Sequence, residues 1–253
     1  MKPIIQISLL LTLALIVPVS ATAAEAGAIL IDEGHDQRFL MNRESPLDLS
    51  EFAARLRRVN SKVAALHHEI TPEALAEATG LVLSGPFKQY SDKEIEAIVR
   101  FVEKGGKLAI MLHIAQPLTA LLHRLDVDFS NGTLRETENA IKGNPQNFRV
   151  QRLSQDSFTR GIEGFSLHGA WALACTGDPC TVIAETGDRA WIDLDGSSTL
   201  SGGDAVQRFA VAVTGKRGKG EFLVFGDDAL FQNKFLDAEN ALLADRLAAW
   251  LAD

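Results

Sequence analysis

Hydrophobic and polar residues along the chain follow one another in the order expected for alternating strands and helices. Short continuous apolar runs, typical of strands buried on both faces, recur five times. Between them, apolar residues fall at helical spacing, as in the stripe Ile95, Ile98, Val99 and Val102 that follows the capping box Ser91–Glu94. The predicted strands are Ala28–Ile31, Lys62–Leu66, Leu81–Ser84, Leu108–Leu112 and Phe222–Phe225.

The helix signals complete a pattern of strand–helix units. Asp48, with Glu51 three residues later, predicts the N-cap of one helix, and Thr71-Pro72 predicts the start of another. Further helices are predicted over Leu118–Leu125 and from Ala238. Four strand–helix units in succession predict an α/β fold with a parallel sheet covered on both faces.

The second half of the chain has a different pattern. Residues 126–164 are polar and rich in turn formers, which predicts an insertion or crossover. The glycine-rich segment Gly215–Gly220 has no helix behind it, so it indicates a hairpin turn rather than a phosphate loop. Short strands are predicted at Leu167–Leu173, Thr181–Ala184, Ala190–Leu194 and Phe209–Val213. Residues 24–253 are therefore predicted to form one α/β domain with a mainly parallel sheet and a β-rich C-terminal half.

Composition excludes several classes of protein. The chain has 253 residues, of which 46% are hydrophobic and 23% charged, as in an ordinary globular protein. A formal net charge of −8, with no run of Lys and Arg, disfavours binding to nucleic acid. Neither a Gly-x-x-x-x-Gly-Lys-Ser/Thr loop nor a His-Glu-x-x-His helix occurs, and no cofactor is expected.

The first residues predict a signal peptide spanning residues 1–23. Lys2 provides positive charge, Leu9–Val17 forms a short apolar core, and Ala21 and Ala23 are small residues suited to a cleavage site. The apolar core is shorter than the roughly 20 residues that span a bilayer, so no membrane span is expected after cleavage. The protein is therefore expected to be periplasmic or secreted.

The two cysteines of the chain lie five positions apart. Cys175 and Cys180 enclose Thr-Gly-Asp-Pro, whose turn formers can bring the thiols together. In an oxidising compartment this spacing favours a local disulfide. A redox-active pair is the alternative, although the spacing is not Cys-x-x-Cys.

Ionisable residues follow several predicted strands. Ligands of parallel sheets bind outside the carboxyl ends of the strands, and carboxylates and imidazoles gathered there could bind a cation or perform acid–base chemistry. They could equally be helix caps and loop anchors, and the other histidines, His168 among them, are interpreted as structural. The candidate site residues are Asp32, Glu33, His35, His113, Asp227 and Asp228.

Several strings resemble a known group of proteins. Leu81–Pro86 and Gly105–Leu112 are similar to the core of the class I glutamine-amidotransferase-like fold, which has a flavodoxin-like three-layer architecture. More closely, the strings Ile31–His35, Thr159–Ile162 and Phe225–Asp228 resemble an uncharacterised bacterial family of amidotransferase-like domains. Related domains occur in auxiliary proteins of gliding-motility ABC transporters and in intraflagellar-transport proteins.

The resemblance does not extend to the amidotransferase triad. An active member places a nucleophilic cysteine where this chain has Met111-Leu112-His113 and a His-x-Glu pair where it has Gly226-Asp227-Asp228. Leucine has no lone pair with which to attack an amide. The sequence thus predicts an exported, non-catalytic binding or assembly module with an envelope protein or glycan as partner. The alternative is a hydrolase or metal-dependent enzyme that uses the Asp/His cluster.

Overall fold

A mixed β-sheet of twelve strands runs through the computed structural model, which describes residues 27–60 and 62–253. A second sheet has three strands. The predicted signal peptide lies outside the described residues. The strands are β1 (Ala28–Asp32), β2 (Val63–Leu66), β3 (Ala78–Ser84), β4 (Lys107–Met111), β5 (Val127–Arg135), β6 (Ala140–Ile141), β7 (Asn144–Val150), β8 (Arg152–Leu153), β9 (Phe165–His168), β10 (Trp171–Cys175), β11 (Thr181–Glu185), β12 (Trp191–Ile192), β13 (Ala205–Val206), β14 (Ala210–Arg217) and β15 (Gly220–Phe225). The helices are α1 (Ser50–Val59), α2 (Asp92–Glu103), α3 (Thr119–Arg124) and α4 (Ala238–Ala252).

The large sheet divides into a parallel and an antiparallel part. Strands β2, β1, β3, β4 and β15 lie side by side in that order and are all parallel. Beyond β15 the order continues through β14, β10, β5, β12 and β13 with antiparallel pairing, and β11 with β8 branches from β14. The α/β class is therefore confirmed, but the sheet is mixed rather than mainly parallel, because hairpins build its second half.

Helices cover both faces of the parallel strands. Leu108 and Ile110 of β4 belong to one hydrophobic cluster with residues of α2 and α3. Ala109 and Met111 belong to a second cluster with residues of α1 and α4. This alternation follows from the period of two along a strand, which sends successive side chains to opposite faces. Within the described part of the chain, no helix is long and apolar enough to cross a membrane.

Two of the predicted helix starts differ in the structure. The capping box at Ser91 and Glu94 is confirmed, with both reciprocal hydrogen bonds present. Asp48 does not cap α1, because its carboxylate accepts hydrogen bonds from the backbone N–H of Leu40 and the hydroxyl of Ser45 and so closes the preceding loop. The segment after Thr71 forms turns rather than a helix.

The predicted polar insertion at residues 126–164 is part of the sheets. Its first strand, β5, pairs with β10 on one side and β12 on the other. Strand β7 pairs with β9 in the small sheet. Asn, Gly and Asp are uncommon in strands, so the local sequence gives little strand signal here, and pairing with distant strands decides the structure.

The cysteines lie at the β10–β11 connection. Their sulfur atoms are 2.02 Å apart and their Cα atoms 5.4 Å apart, a geometry that suits a disulfide between Cys175 and Cys180. The connection joins two strands that each pair antiparallel with β14, and it lies outside the parallel core.

Candidate functional site

The candidate residues lie at the carboxyl edge of the parallel strands, where the chain leaves β1, β4 and β15. Strands β15, β4, β3 and β1 are parallel neighbours in that order, so the loops that follow β1, β4 and β15 lie along one edge of the sheet. The residues fall into two groups with different surroundings. Asp32, Glu33 and His35 belong to the β1 end, and His113, Asp227 and Asp228 belong to the β4 and β15 ends.

The β1 group centres on a buried carboxylate. Asp32 is 1% exposed and accepts hydrogen bonds from the hydroxyl of Tyr90 at 2.6 Å and from Nε2 of Gln37 at 2.5 Å. Nδ1 of His35 lies 2.9 Å from its Oδ2. We call the set Asp32, His35, Gln37, Tyr90 and Glu94 the anchor cluster.

The imidazole of His35 bridges two carboxylates. Its Nε2 lies 2.9 Å from Oε1 of Glu94, which also caps α2. Burial alone lowers the pKa of His35, but the hydrogen bonds and negative charges of Asp32 and Glu94 outweigh it, and the pKa lies above its ordinary value. The two carboxylates thus stabilise the imidazolium form of His35 inside the protein.

These contacts make the β1 group a structural anchor. Every side chain of the anchor cluster is buried, and its polar atoms meet one another. Glu33 is also occupied, because its Oε1 accepts a hydrogen bond of 2.7 Å from the backbone N–H of Met41. Three carboxylates at this edge, Asp32, Asp227 and Asp228, are only 1–2% exposed and so are buried rather than solvated loop residues.

His113 and Asp228 form a second pair. Nδ1 of His113 lies 3.1 Å from Oδ1 of the buried Asp228, while the imidazole side chain is 37% exposed. The hydrogen bond to Asp228 is the main cause that raises the pKa of His113, whereas burial raises the pKa of Asp228. Since Nδ1 is engaged, Nε2 is the nitrogen that His113 can offer to a ligand.

Asp227 joins the end of β15 to β9. Its carboxylate accepts hydrogen bonds from the backbone N–H groups of His168 at 2.5 Å and Ala229 at 2.9 Å. Burial, followed by the charge of Asp228, raises the pKa of Asp227 to about 7. Asp227 therefore fixes the backbone around the site and titrates near neutrality.

A pocket of about 360 Å³ opens beside these residues, and we call it the edge pocket. This volume lies within the roughly 300–1,000 Å³ of small-molecule sites. Its lining combines aromatic rings with polar groups. The lining residues are Phe39, Leu47, His113, Ile114, Thr133, Gln146, His168, Gly169, Trp171, Asp227, Ala229, Gln232 and Phe235.

His168, interpreted from sequence as structural, is part of the edge pocket. Its ring stacks on Phe235 with centroids 4.0 Å apart, and burial lowers its pKa to about 4, so it is neutral at pH 7. Nδ1 of His168 is buried and has no hydrogen-bond partner among the described residues. The sequence around His168 predicts only a strand flanked by glycine. Nothing in it indicates that β9, a strand of the small sheet, lies beside the carboxyl edge of the large sheet.

The edge has the parts of an acid–base pair. Leu112, directly after β4, is fully buried in the hydrophobic core and has no nucleophilic atom. Among residues 27–60 and 62–253, three metal-ligating side chains converge only away from this edge, at Asp193, Asp195 and Asp204. A histidine oriented by a buried carboxylate can accept or donate a proton, and the aromatic walls can hold an apolar surface.

Comparisons with solved structures show where this fold recurs. The N-terminal domain of mmIFT52 is similar with a TM-score of 0.72 at 20% identity, over 89% of this chain and 98% of that one. The cytoplasmic protein STM1381 from Salmonella typhimurium LT2 has a TM-score of 0.52 at 16% identity, over 88% and 97%. A ThuA-like protein from Bacteroides uniformis ATCC 8492 has a TM-score of 0.50 at 12% identity, over 92% and 94%. At these identities the likeness concerns the fold alone.

The sequence comparisons give the family. No curated protein has a matching sequence. The family model described as a domain of unknown function (DUF4350) matches residues 42–248, which include every strand from β2 to β15. Of the two edge groups, His113, Asp227 and Asp228 lie inside the matched range, whereas the three residues at the β1 end precede it. Because this match spans most of the chain, the protein belongs to the DUF4350 family.

Proposed function

We propose that this chain is an exported, non-catalytic binding module whose edge pocket captures an uncharged glycan. The observation that carries the proposal is the lining of that pocket, where Phe39, Trp171 and Phe235 stand beside His113 and His168. A sugar ring has an apolar C–H face and a rim of hydroxyls. Aromatic rings cover the first and imidazole nitrogens bond the second.

The charges of the pocket favour a neutral ligand. Its described lining contains no Lys or Arg to balance an anion. His168 is uncharged at neutral pH, and its buried Nδ1 has no hydrogen-bond partner among the described residues. A hydroxyl can donate to that nitrogen or accept from Nε2 of His113, so it suits both imidazoles.

The relationship to the amidotransferase-like fold belongs to the same proposal. The parallel strands β2, β1, β3, β4 and β15 have the strand order of flavodoxin-like sheets, and ligands of such sheets bind at the carboxyl edge. Periplasmic or secreted localisation is supported by the signal-like residues 1–23 and by the cysteine pair, since disulfides persist in oxidising compartments.

The test is a titration of the purified chain with maltose and with N,N′-diacetylchitobiose, in which binding is measured by calorimetry or saturation-transfer NMR. His113→Ala should weaken binding roughly 2- to 13-fold, the equivalent of one hydrogen bond of about 0.5–1.5 kcal/mol. The matched control is His123→Ala, because His123 is 59% exposed on α3 and is not one of the residues that line the edge pocket. Equal affinity of both variants, or no binding of any uncharged oligosaccharide, would refute the proposal.

One observation favours a hydrolase as a second candidate. The buried Asp228 orients His113 as a carboxylate orients a catalytic imidazole. If this pair activates water, incubation with a captured oligosaccharide should produce new reducing ends, and His113→Asn should abolish their formation. Capture without turnover favours the binding module.

A further inference from the structure

The loop between β12 and β13 brings three carboxylates together, and we call residues 193–204 the acidic loop. Asp193, Asp195 and Asp204 each present one oxygen, and these oxygens lie within 4.8 Å of one another. Three like charges at such distances repel unless a cation or protons neutralise them. Neither the proposed glycan site nor the anchor cluster includes these residues.

An unsatisfied buried oxygen points to a ligand at the acidic loop. The side chain of Asp193 is 3% exposed, and its Oδ1 has no hydrogen-bond partner among the described residues. Its Oδ2 is occupied by Nη2 of Arg135 at 2.9 Å and by the backbone N–H of Ser198 at 3.1 Å. Oδ1 is therefore the oxygen left for the cluster, and a buried carboxylate oxygen without a partner is costly.

The local charge matches a divalent cation. Three carboxylates and the guanidinium of Arg135 leave a net charge of −2 around the acidic loop. The available atoms are all oxygens, which excludes the His and Cys ligands that zinc prefers. Ca²⁺ takes six to eight hard oxygen ligands in variable geometry, whereas Mg²⁺ demands a near-ideal octahedron, so a loop of irregular oxygen donors favours Ca²⁺.

The spacing of oxygen donors agrees with this chemistry. Residues 193, 195, 197, 199, 201 and 204 correspond to positions 1, 3, 5, 7, 9 and 12 of an EF-hand loop, and all carry a side-chain oxygen. Position 6 of that loop takes a left-handed backbone, and Ser198 has φ 62°. Strands rather than helices flank the acidic loop, so the similarity concerns the loop alone.

We propose that the acidic loop binds Ca²⁺, with Asp193, Asp195 and Asp204 as carboxylate ligands. Bound Ca²⁺ ties together the β12–β13 hairpin, which pairs with β5 through Trp191 and Arg135. The ion thus holds the outer edge of the large sheet and neutralises the repulsion within the loop.

The test uses the full chain stripped with EDTA and titrated with CaCl₂. With a dissociation constant of about 10⁻⁴ to 10⁻³ M, the range of extracellular modules, 5 mM Ca²⁺ should raise the melting temperature by roughly 2–9 °C. Bound Tb³⁺, a Ca²⁺ substitute, should luminesce when tryptophan is excited, because Trp191 lies two residues before Asp193. The same concentration of Mg²⁺ should give less than half the shift.

The matched variants are Asp195→Asn and Asp128→Asn. Asp195 is exposed, so its replacement should leave the fold intact while weakening Ca²⁺ at least tenfold. Asp128 is an exposed aspartate of β5 outside the loop, and its variant should respond as the wild type does. Equal shifts with Ca²⁺ and Mg²⁺, equal responses of the two variants, or no Ca²⁺-dependent shift in the wild type would each overturn the proposal.

Discussion

Replacing Asp32 by Asn should destabilise the fold strongly although it removes a single oxygen. The carboxylate of Asp32 accepts hydrogen bonds from Tyr90, Gln37 and the backbone N–H of Gly34, and it neutralises His35. An amide has one acceptor oxygen and an NH₂ group, so donors that now meet Oδ2 would face another donor. His35 would also keep only Glu94 as a counterion.

The magnitude follows from burial and from the number of partners. Breaking a buried, hydrogen-bonded charge pair costs about 3–5 kcal/mol, and each donor left unsatisfied costs about 1–3 kcal/mol. Because Glu94 stays beside the imidazole and the shapes of Asp and Asn are alike, we expect a loss of about 3 kcal/mol of unfolding free energy. For a chain of this size, that lowers the melting temperature by roughly 6–12 °C.

The assay is thermal and urea unfolding of the wild type and two variants. Asp36→Asn is the matched control, because Asp36 lies on the same loop, is exposed, and has φ 57°, a conformation that Asn also tolerates. We expect Asp36→Asn to change stability by less than about 0.5 kcal/mol. If the two variants melt within a degree of each other, the anchor cluster does not hold the β1 loop and the reasoning fails.

Three further predictions concern pH, the cysteines and glutamine. The raised pKa values of His35 and His113 give stability that is complete below pH 6.5 and is lost as the pH rises through those values. Asp227, with a pKa of about 7, adds a further loss of stability as the pH rises from 3.8 to 7. The lowered pKa of His168 makes stability rise with pH, but only between about pH 4 and 6.5. The melting temperature should therefore fall from pH 6.5 to 8.5, and a rise would contradict the assignment. Replacing both cysteines by serine should cost at most about 2 kcal/mol by the loop-entropy model, and non-reducing mass spectrometry should find no alkylatable thiol in the wild type. The purified protein should release no ammonia from glutamine above background, since no thiol nucleophile lies at the carboxyl edge.

Local signals made the parallel half of the fold predictable from sequence. The capping box at Ser91 and the apolar stripe behind it act within one helix, so α2 could be placed before any tertiary contact was known. The antiparallel half was not predictable in the same way. Strand β5 contains Asp128, Asn131 and Gly132, and only its pairing with β10 and β12 makes it a strand.

The six candidate residues lie at the sheet edge that the sequence predicts for them, but the sequence did not predict what surrounds them there. Position after a strand indicates which loop a residue occupies, and it does not reveal what the loop packs against. Nε2 of His35 meets Glu94, which is 59 residues away and which the sequence identifies only as a capping residue. His168 reaches the edge pocket through the small sheet, and no local pattern encodes that approach.

Buried polar atoms at the carboxyl edge fall into two kinds, and the difference separates anchors from ligand contacts. In the anchor cluster the charged side chains find partners within the chain, so a ligand gains nothing by entering. In the edge pocket Nδ1 of His168 is buried without a partner, and Nε2 of His113 is left for a ligand. Asp228 also has an unpaired buried oxygen, Oδ2, which lies against Gly85. Any Cβ at position 85 would collide with this oxygen, so the glycine leaves the room that it occupies. An unsatisfied buried group costs about 1–3 kcal/mol, and a ligand that supplies the missing hydrogen bond recovers that energy on binding. The same reasoning applies to Oδ1 of Asp193, so the carboxyl edge and the acidic loop each hold a buried polar atom whose missing hydrogen bond or ion contact a ligand can supply.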